Sequence, residues 1–208
     1  TVENLFFNVP ARLKFLKSET TERGHITTLV SRYAMAYPNV RFVLTHGRQK
    51  MLHTTGSGDL RDVLNEVYGL EMAEQMVPIE AQDEPLRGDL PPIRVSGYIG
   101  LPSLNRSNRS HITLFVNGRW VQDASLTVAV VQAYHTMLMT GRYPVAVVMI
   151  EVPADQVDVN VHPTKAEVRF RQQNAVFSAV QRAVRRTLVE QAPPPAIHPE
   201  TVWSSPEW

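Results

Sequence analysis

The sequence predicts an α+β protein in two layers, and three observations carry that prediction. "VAVVMIEV" (residues 145–152) is an uninterrupted apolar run of strand length, the pattern of a central strand buried on both faces. "IRVSGYIG" and "ITLFVNGRWV" read as strands, and Asn117-Gly118 supplies a hairpin turn because both residue types tolerate positive φ. Two segments, 125–139 and 174–189, repeat apolar residues at helical spacing instead. The order is two N-terminal helices, then a mixed sheet with helices packed on one face.

Taken in order, residues 1–7 read as the end of a strand. Pro10 opens a helix continuing to Lys17, since its missing N–H costs nothing in a first turn. Ser18 to Thr21 offer N-caps for a second helix with Ile26, Leu29, Val30, Tyr33 and Ala34 inward, ending near Pro38. "VRFVLTHGRQKMLHTT" predicts a hairpin turning at Gly47, and "DLRDVLNEVYG" a short helix closed by Gly69. Strands follow at 77–81 and 93–100, separated by an acidic, Pro-rich loop, and then a polar loop from 101 to 111. The helix over 125–139 turns Leu126, Ala129, Val130, Ala133 and Met137 inward. In the last helix Val176, Ala179, Val180, Ala183, Val184 and Leu188 do the same. The Pro-rich stretch after residue 189 has no periodicity and reads as a linker.

Composition narrows the function. A net charge of +1 makes the molecule no general magnet for DNA, so any nucleic-acid contact needs a local basic patch. The absence of cysteine excludes disulfides and thiolate metal sites and fits a reducing compartment. No apolar run approaches the roughly 20 residues of a membrane span. The opening reads as cut from a longer polypeptide, and a cytoplasmic fragment is the expectation.

Three stretches are candidates for chemistry. In "VDVNVHPTKAEVRF" two alternating arms flank a break at Pro163, which disrupts pairing and projects Lys165 from the sheet edge. An ammonium on a flexible stem suits a terminal phosphate, although a solvated lysine at a turn is the commoner case. In "FVNGRW", Arg119 beside the turn could meet phosphate or remain an ordinary surface arginine. In "LFFNVPARLKFLK", Arg12, Lys14 and Lys17 lie near a helix N-terminus, and Asn8 is positioned to cap or brace the turn before Pro10.

Together, "LFFNVPARLKFLK", "FVNGR" and "VDVNVHPTKAEVRF" closely resemble the MutL mismatch-repair proteins, over residues 1 to about 189. The resemblance implies the end of a gyrase, Hsp90, histidine-kinase and MutL (GHKL) ATPase domain over 1–17. It implies a transducer domain over 18–189, like the second domain of ribosomal protein S-five with its left-handed βαβ crossover, and a linker over 190–208. It assigns Lys165 to the γ-phosphate of ATP, and Asn8, Pro10, Ala11 and Arg12 to the domain junction. Catalytic glutamate, Mg²⁺ ligand and adenine-binding residues lie upstream in the family, and Glu3 matches none of them. The chain alone is therefore expected to be no enzyme and to hold no metal or cofactor; ATP and Mg²⁺ belong to the parent protein.

For DNA, Arg106, Arg109 and Arg119 are the candidates, with Arg182, Arg185 and Arg186 behind them. Gln122 and Ala124 stand where some relatives carry further arginines, so binding is expected to be weak, non-specific and salt-sensitive. The resemblance also implies the mismatch-recognition protein MutS as partner, self-association of the parent, and a bacterial cytoplasmic location near the nucleoid during repair. The competing readings are a stand-alone nucleic-acid-binding module and a type II topoisomerase transducer. The HPTK context and "NVPARLKFL" argue against the second.

Overall fold

The computed structural model describes residues 3–86, 92–158 and 168–191. A five-stranded mixed sheet forms its centre, in the order β3 (Met76–Glu84), β4 (Ile93–Gly100), β9 (Ala146–Glu151), β6 (Ile112–Val116) and β7 (Arg119–Val121). Neighbours are antiparallel except β6 and β9, which run parallel with Val116 opposite Ile150. A parallel pair needs a crossover, and α5 (Ala124–Ala133) supplies it. Asp123 caps that helix, its carboxylate accepting from the Leu126 N–H at 2.8 Å.

Alternation along the strands sorts side chains onto two faces. Val95, Ile99, Leu114, Val116, Ala146, Val148 and Ile150 face α5 and α6 (Gln173–Glu190), whose Leu126, Val130, Val176, Val180 and Val184 complete the main core. Met76, Phe115, Val145 and Val147 face the other way. There they are covered by α2 (Glu19–Ala36), α3 (Leu60–Tyr68), α4 (Leu70–Glu74) and the hairpin of β1 (Val43–His46) with β2 (Gln49–His53). Helices therefore pack on both faces, which corrects the one-face expectation. The reason was already present in β9: a strand apolar at every position from Ala146 to Ile150 must be covered twice.

Gly97 sits where β4 crosses β9. Its φ is +123°, and a Cβ there would strike the Val147 carbonyl oxygen, so only glycine allows the two strands this approach.

The N-terminus differs from its predicted form. Residues 3–9 turn, with Asn4 and Phe6 at positive φ and the Phe7 and Val9 amides donating to the Asn4 and Phe6 carbonyls. The strand-like residues find no partner strand among the described residues. The helix begun by Pro10 is α1 (Pro10–Leu13), shorter than expected. Ser18 does cap α2, accepting from the Thr21 amide at 3.3 Å. However, Ile26, Leu29 and Tyr33 remain about half exposed, and the buried side chains are Ser31, Ala34 and Met35. The α5 helix likewise stops at Ala133, and Thr136 at φ 73° breaks the run before Met137.

Two small ribbons complete the fold. β5 (Asn105–Arg106) pairs with β8 (Tyr143–Pro144), and β10 (Val157–Asp158) with β11 (Arg169–Phe170), both antiparallel.

Candidate functional site

The two ends of "VDVNVHPTKAEVRF" pair as a short ribbon: Val157 faces Phe170 and Asp158 faces Arg169. Its base is anchored in three ways. Val168 and Phe170 are buried in the main core beside α6. A 3-10 turn, Ala154–Gln156, precedes it, and Gln156 is itself buried. The Arg171 amide donates to the Gln156 carbonyl at 2.9 Å, tying the ribbon's return to its start. An open depression of about 510 Å³ lies against this base, lined by Asp155, Asp158, Arg169 and Arg171 among others. Lys165, with His162 and Pro163, lies outside the described residues.

The Asn117-Gly118 turn does more than reverse the chain. Both residues have positive φ (48° and 75°), the geometry of a type I′ hairpin. The Asn117 amide continues the parallel ladder to the Ile150 carbonyl at 2.9 Å. Its side-chain carboxamide then grips Val152, donating to the carbonyl at 3.0 Å and accepting from the N–H at 2.9 Å. The sequence identifies the turn but not this second role of the asparagine. On the other side of the turn, Arg32 of α2 stacks on the Trp120 ring at 3.6 Å. Burial lowers the Arg32 pKa.

The candidate DNA arginines fall into separate places. Arg106 lies in the β5–β8 ribbon opposite Tyr143, and the Arg109 guanidinium lies 5.0 Å from the Tyr143 ring centre. Arg142 joins them, its Nε donating to Asn105 Oδ1 at 2.6 Å. Arg119 is exposed opposite Val116, four residues along β6 from Ile112, where this ribbon adjoins the sheet. At strand rise that is roughly 13 Å away. Arg182 and Arg186 both face Glu84 (2.8 and 3.9 Å), while Arg185 donates to the Ala133 and His135 carbonyls at the end of α5. These three hold α6 to β3 and α5.

Beside Arg106 sits a small polar cluster that no motif along the chain predicts. Burial and the Arg106 charge hold the His111 pKa below its ordinary value. The Tyr68 ring lies 6.4 Å from His111. Burial pushes the Tyr68 pKa up, and a hydrogen bond with Thr113 and the Arg32 charge oppose the rise.

At the proposed junction, Pro10 occupies the first position of α1 and Arg12 stacks 5.8 Å from the Phe6 ring centre. Asn8 is exposed; the N-cap residue is Val9, and no side chain caps the helix. Among the described residues no three His, Asp or Glu side chains converge as a metal site would require.

Comparison with known proteins completes the picture. The family model of the DNA mismatch repair protein C-terminal domain matches residues 64–189, which run from α3 to the end of α6. The chain belongs to the MutL family of DNA mismatch repair proteins. It is 44% identical over 188 residues to the DNA mismatch repair protein MutL of Geobacillus sp. (strain WCH70), an alignment covering 90% of this chain and 29% of that relative. The chain thus spans less than a third of the MutL relative it matches. Among solved structures, the N-terminal domain of a DNA repair protein matches with TM-score 0.71 at 24% identity, over 90% of this chain and 60% of that one. The MutL ATPase domain of Aquifex aeolicus complexed with ADP matches with TM-score 0.50 at 25% identity, over 73% of this chain and 51% of that one. These likenesses agree with the α+β fold and its mixed sheet. Among the described residues no helix is long and apolar enough to cross a membrane.

Proposed function

We propose that this chain is the transducer region of a MutL protein, and that Lys165 reports the γ-phosphate of ATP held by an adjoining GHKL domain. In this reading residues 1–17 close the ATPase domain, 18–189 transmit its state and 190–208 lead away as a linker. The fold is of the ribosomal protein S-five second-domain type, and the β6–α5–β9 connection is its left-handed crossover.

The observation that supports this best is the anchoring of the β10–β11 ribbon. Phe170 and Val168 in the core and the Arg171–Gln156 hydrogen bond give the segment bearing Lys165 a rigid base. Only a lysine carried on such a base converts contact with a phosphate into movement of the domain behind it. Because ADP lacks the γ-phosphate, the contact separates the two nucleotide states and biases one arrangement of the domains. ATP and Mg²⁺ are held by the neighbouring domain, and the chain alone neither binds nucleotide tightly nor hydrolyses it, since positioning supplies most of the catalysis in phosphoryl transfer. MutS, a second copy of the parent and DNA backbone are the partners, in the bacterial cytoplasm.

The test is Lys165→Ala in the full-length protein, followed by steady-state phosphate release. Turnover falls by about tenfold or more, while ADP affinity holds. Unchanged turnover would overturn the assignment.

A second reading, a nucleic-acid-binding module, is favoured by the gathering of Arg106, Arg109 and Arg142 around Tyr143 and Asn105. Anisotropy titrations with duplex DNA across a salt series separate the two. A module loses about 0.9 of its log–log salt slope for each phosphate contact removed by Arg106→Ala or Arg109→Ala. A transducer with incidental DNA contact shows little binding at moderate salt.

A further inference from the structure

The geometry points to Asn117 as a positioning residue that sets the direction in which the β10–β11 ribbon leaves the sheet; this deepens the reading above, in which the sequence between those strands carries Lys165, and rests on it. β6 and β9 run parallel until Val116 and Ile150, and the Asn117 amide adds one more rung. There β6 turns away at Gly118, yet β9 continues to Val152. Val152 is 8% exposed, and its N–H and C=O have lost the strand that would have paired them. An unpaired buried backbone group is costly. The Asn117 carboxamide replaces the missing strand, meeting both groups of one residue with one donor and one acceptor. Asparagine suits this place because it tolerates positive φ and carries both functions on a short stem.

The clamp lies where direction is decided. Val152 is followed at once by Pro153, the Ala154–Gln156 turn and β10, so the angle at Val152 aims the ribbon. The far side of the same turn is held by α2. Arg32 stacks on Trp120, and the Tyr37 side chain lies against Gly118, 3.7 Å from where a Cβ would stand. A displacement of α2 therefore reaches the ribbon through a turn that grips both. The link is the stacked ring and the carboxamide.

The experiment uses Asn117→Gly, which keeps the positive φ and deletes the carboxamide. In this chain, hydrogen exchange at the Val152 amide quickens by about tenfold, and protection falls in 154–158 but not in β4. In the full-length protein, ATP turnover drops severalfold while ADP affinity is unchanged, and Asn117→Gly combined with Lys165→Ala loses little beyond Lys165→Ala alone. Asn117→Asp, which still accepts from the Val152 N–H, serves if the glycine variant melts too low, and lies between wild type and glycine in the same readouts. Should Val152 exchange be unaltered, or ATP and ADP affinities fall together, the inference fails. If Lys165→Ala itself turns over ATP normally, the γ-phosphate reading fails instead, and the Val152 exchange result still judges the clamp.

Discussion

The Tyr134 hydroxyl donates to the Gly100 carbonyl at 2.6 Å, joining the end of α5 to the end of β4 inside the main core. Tyr134 is 1% exposed, and α5 ends on it. The bond satisfies the side-chain polar atom of Tyr134, the largest fully buried side chain among the described residues. It also fixes where the α5 crossover returns to the sheet, and hence the register in which β9 enters between β4 and β6.

Removing that hydroxyl tests its contribution. Tyr134→Phe keeps the ring and leaves the Gly100 carbonyl short of a donor, so stability falls by about 1–2 kcal/mol. Chemical denaturation of the two proteins measures the difference. An unchanged midpoint would show that the bond is replaced by another donor.

The same tyrosine makes stability fall at alkaline pH. Burial pushes its pKa well above the ordinary 10.0, so the folded chain keeps a proton that the unfolded chain releases. Stability is full below about pH 10 and declines as pH rises past it, by about 1.4 kcal/mol per pH unit for one such group. Tyr68 adds to the trend in the same direction, its pKa also being raised chiefly by burial. Thermal melts at rising pH show a shallower alkaline slope in Tyr134→Phe than in wild type.

Gly97→Ala addresses the strand crossing. A methyl group there meets the Val147 carbonyl at a positive φ, so β4 and β9 must separate. The cost is about 3 kcal/mol, read as a lower denaturation midpoint. A change within a few tenths would mean the strands shift apart freely.

Phe170→Ala loosens the ribbon at its base. The ring is 8% exposed and packed in the main core, and its loss costs about 3–4 kcal/mol. Hydrogen exchange in 168–171 quickens before that of β9. If both regions open together, the ribbon is not a separate unit resting on the sheet.

How much of this was legible in the sequence varies element by element. α6 was legible because it is long and periodic, and β9 because an unbroken apolar run of strand length must be buried. The caps at Ser18 and Gly69 follow from local chemistry within a turn of chain, whereas the Asp123 cap of α5 emerged only in the structure. The N-terminal strand was misread because "NLFFN" has strand residues but no neighbour with which to pair. The apolar stripe of α2 was misread because periodicity names a face without saying what covers it.

By itself the sequence determined which segments are strands, which are helices and where the chain turns, since propensity, capping and positive φ act over a few residues. It determined the family too, through motifs whose order is written along the chain. Tertiary structure alone decided that Arg106 and Arg109 gather at Tyr143 while Arg119 stands apart. It decided as well that a turn asparagine pairs a residue thirty-five positions away. Those facts depend on which backbone groups a neighbour has left unpaired, and no local stretch carries that information.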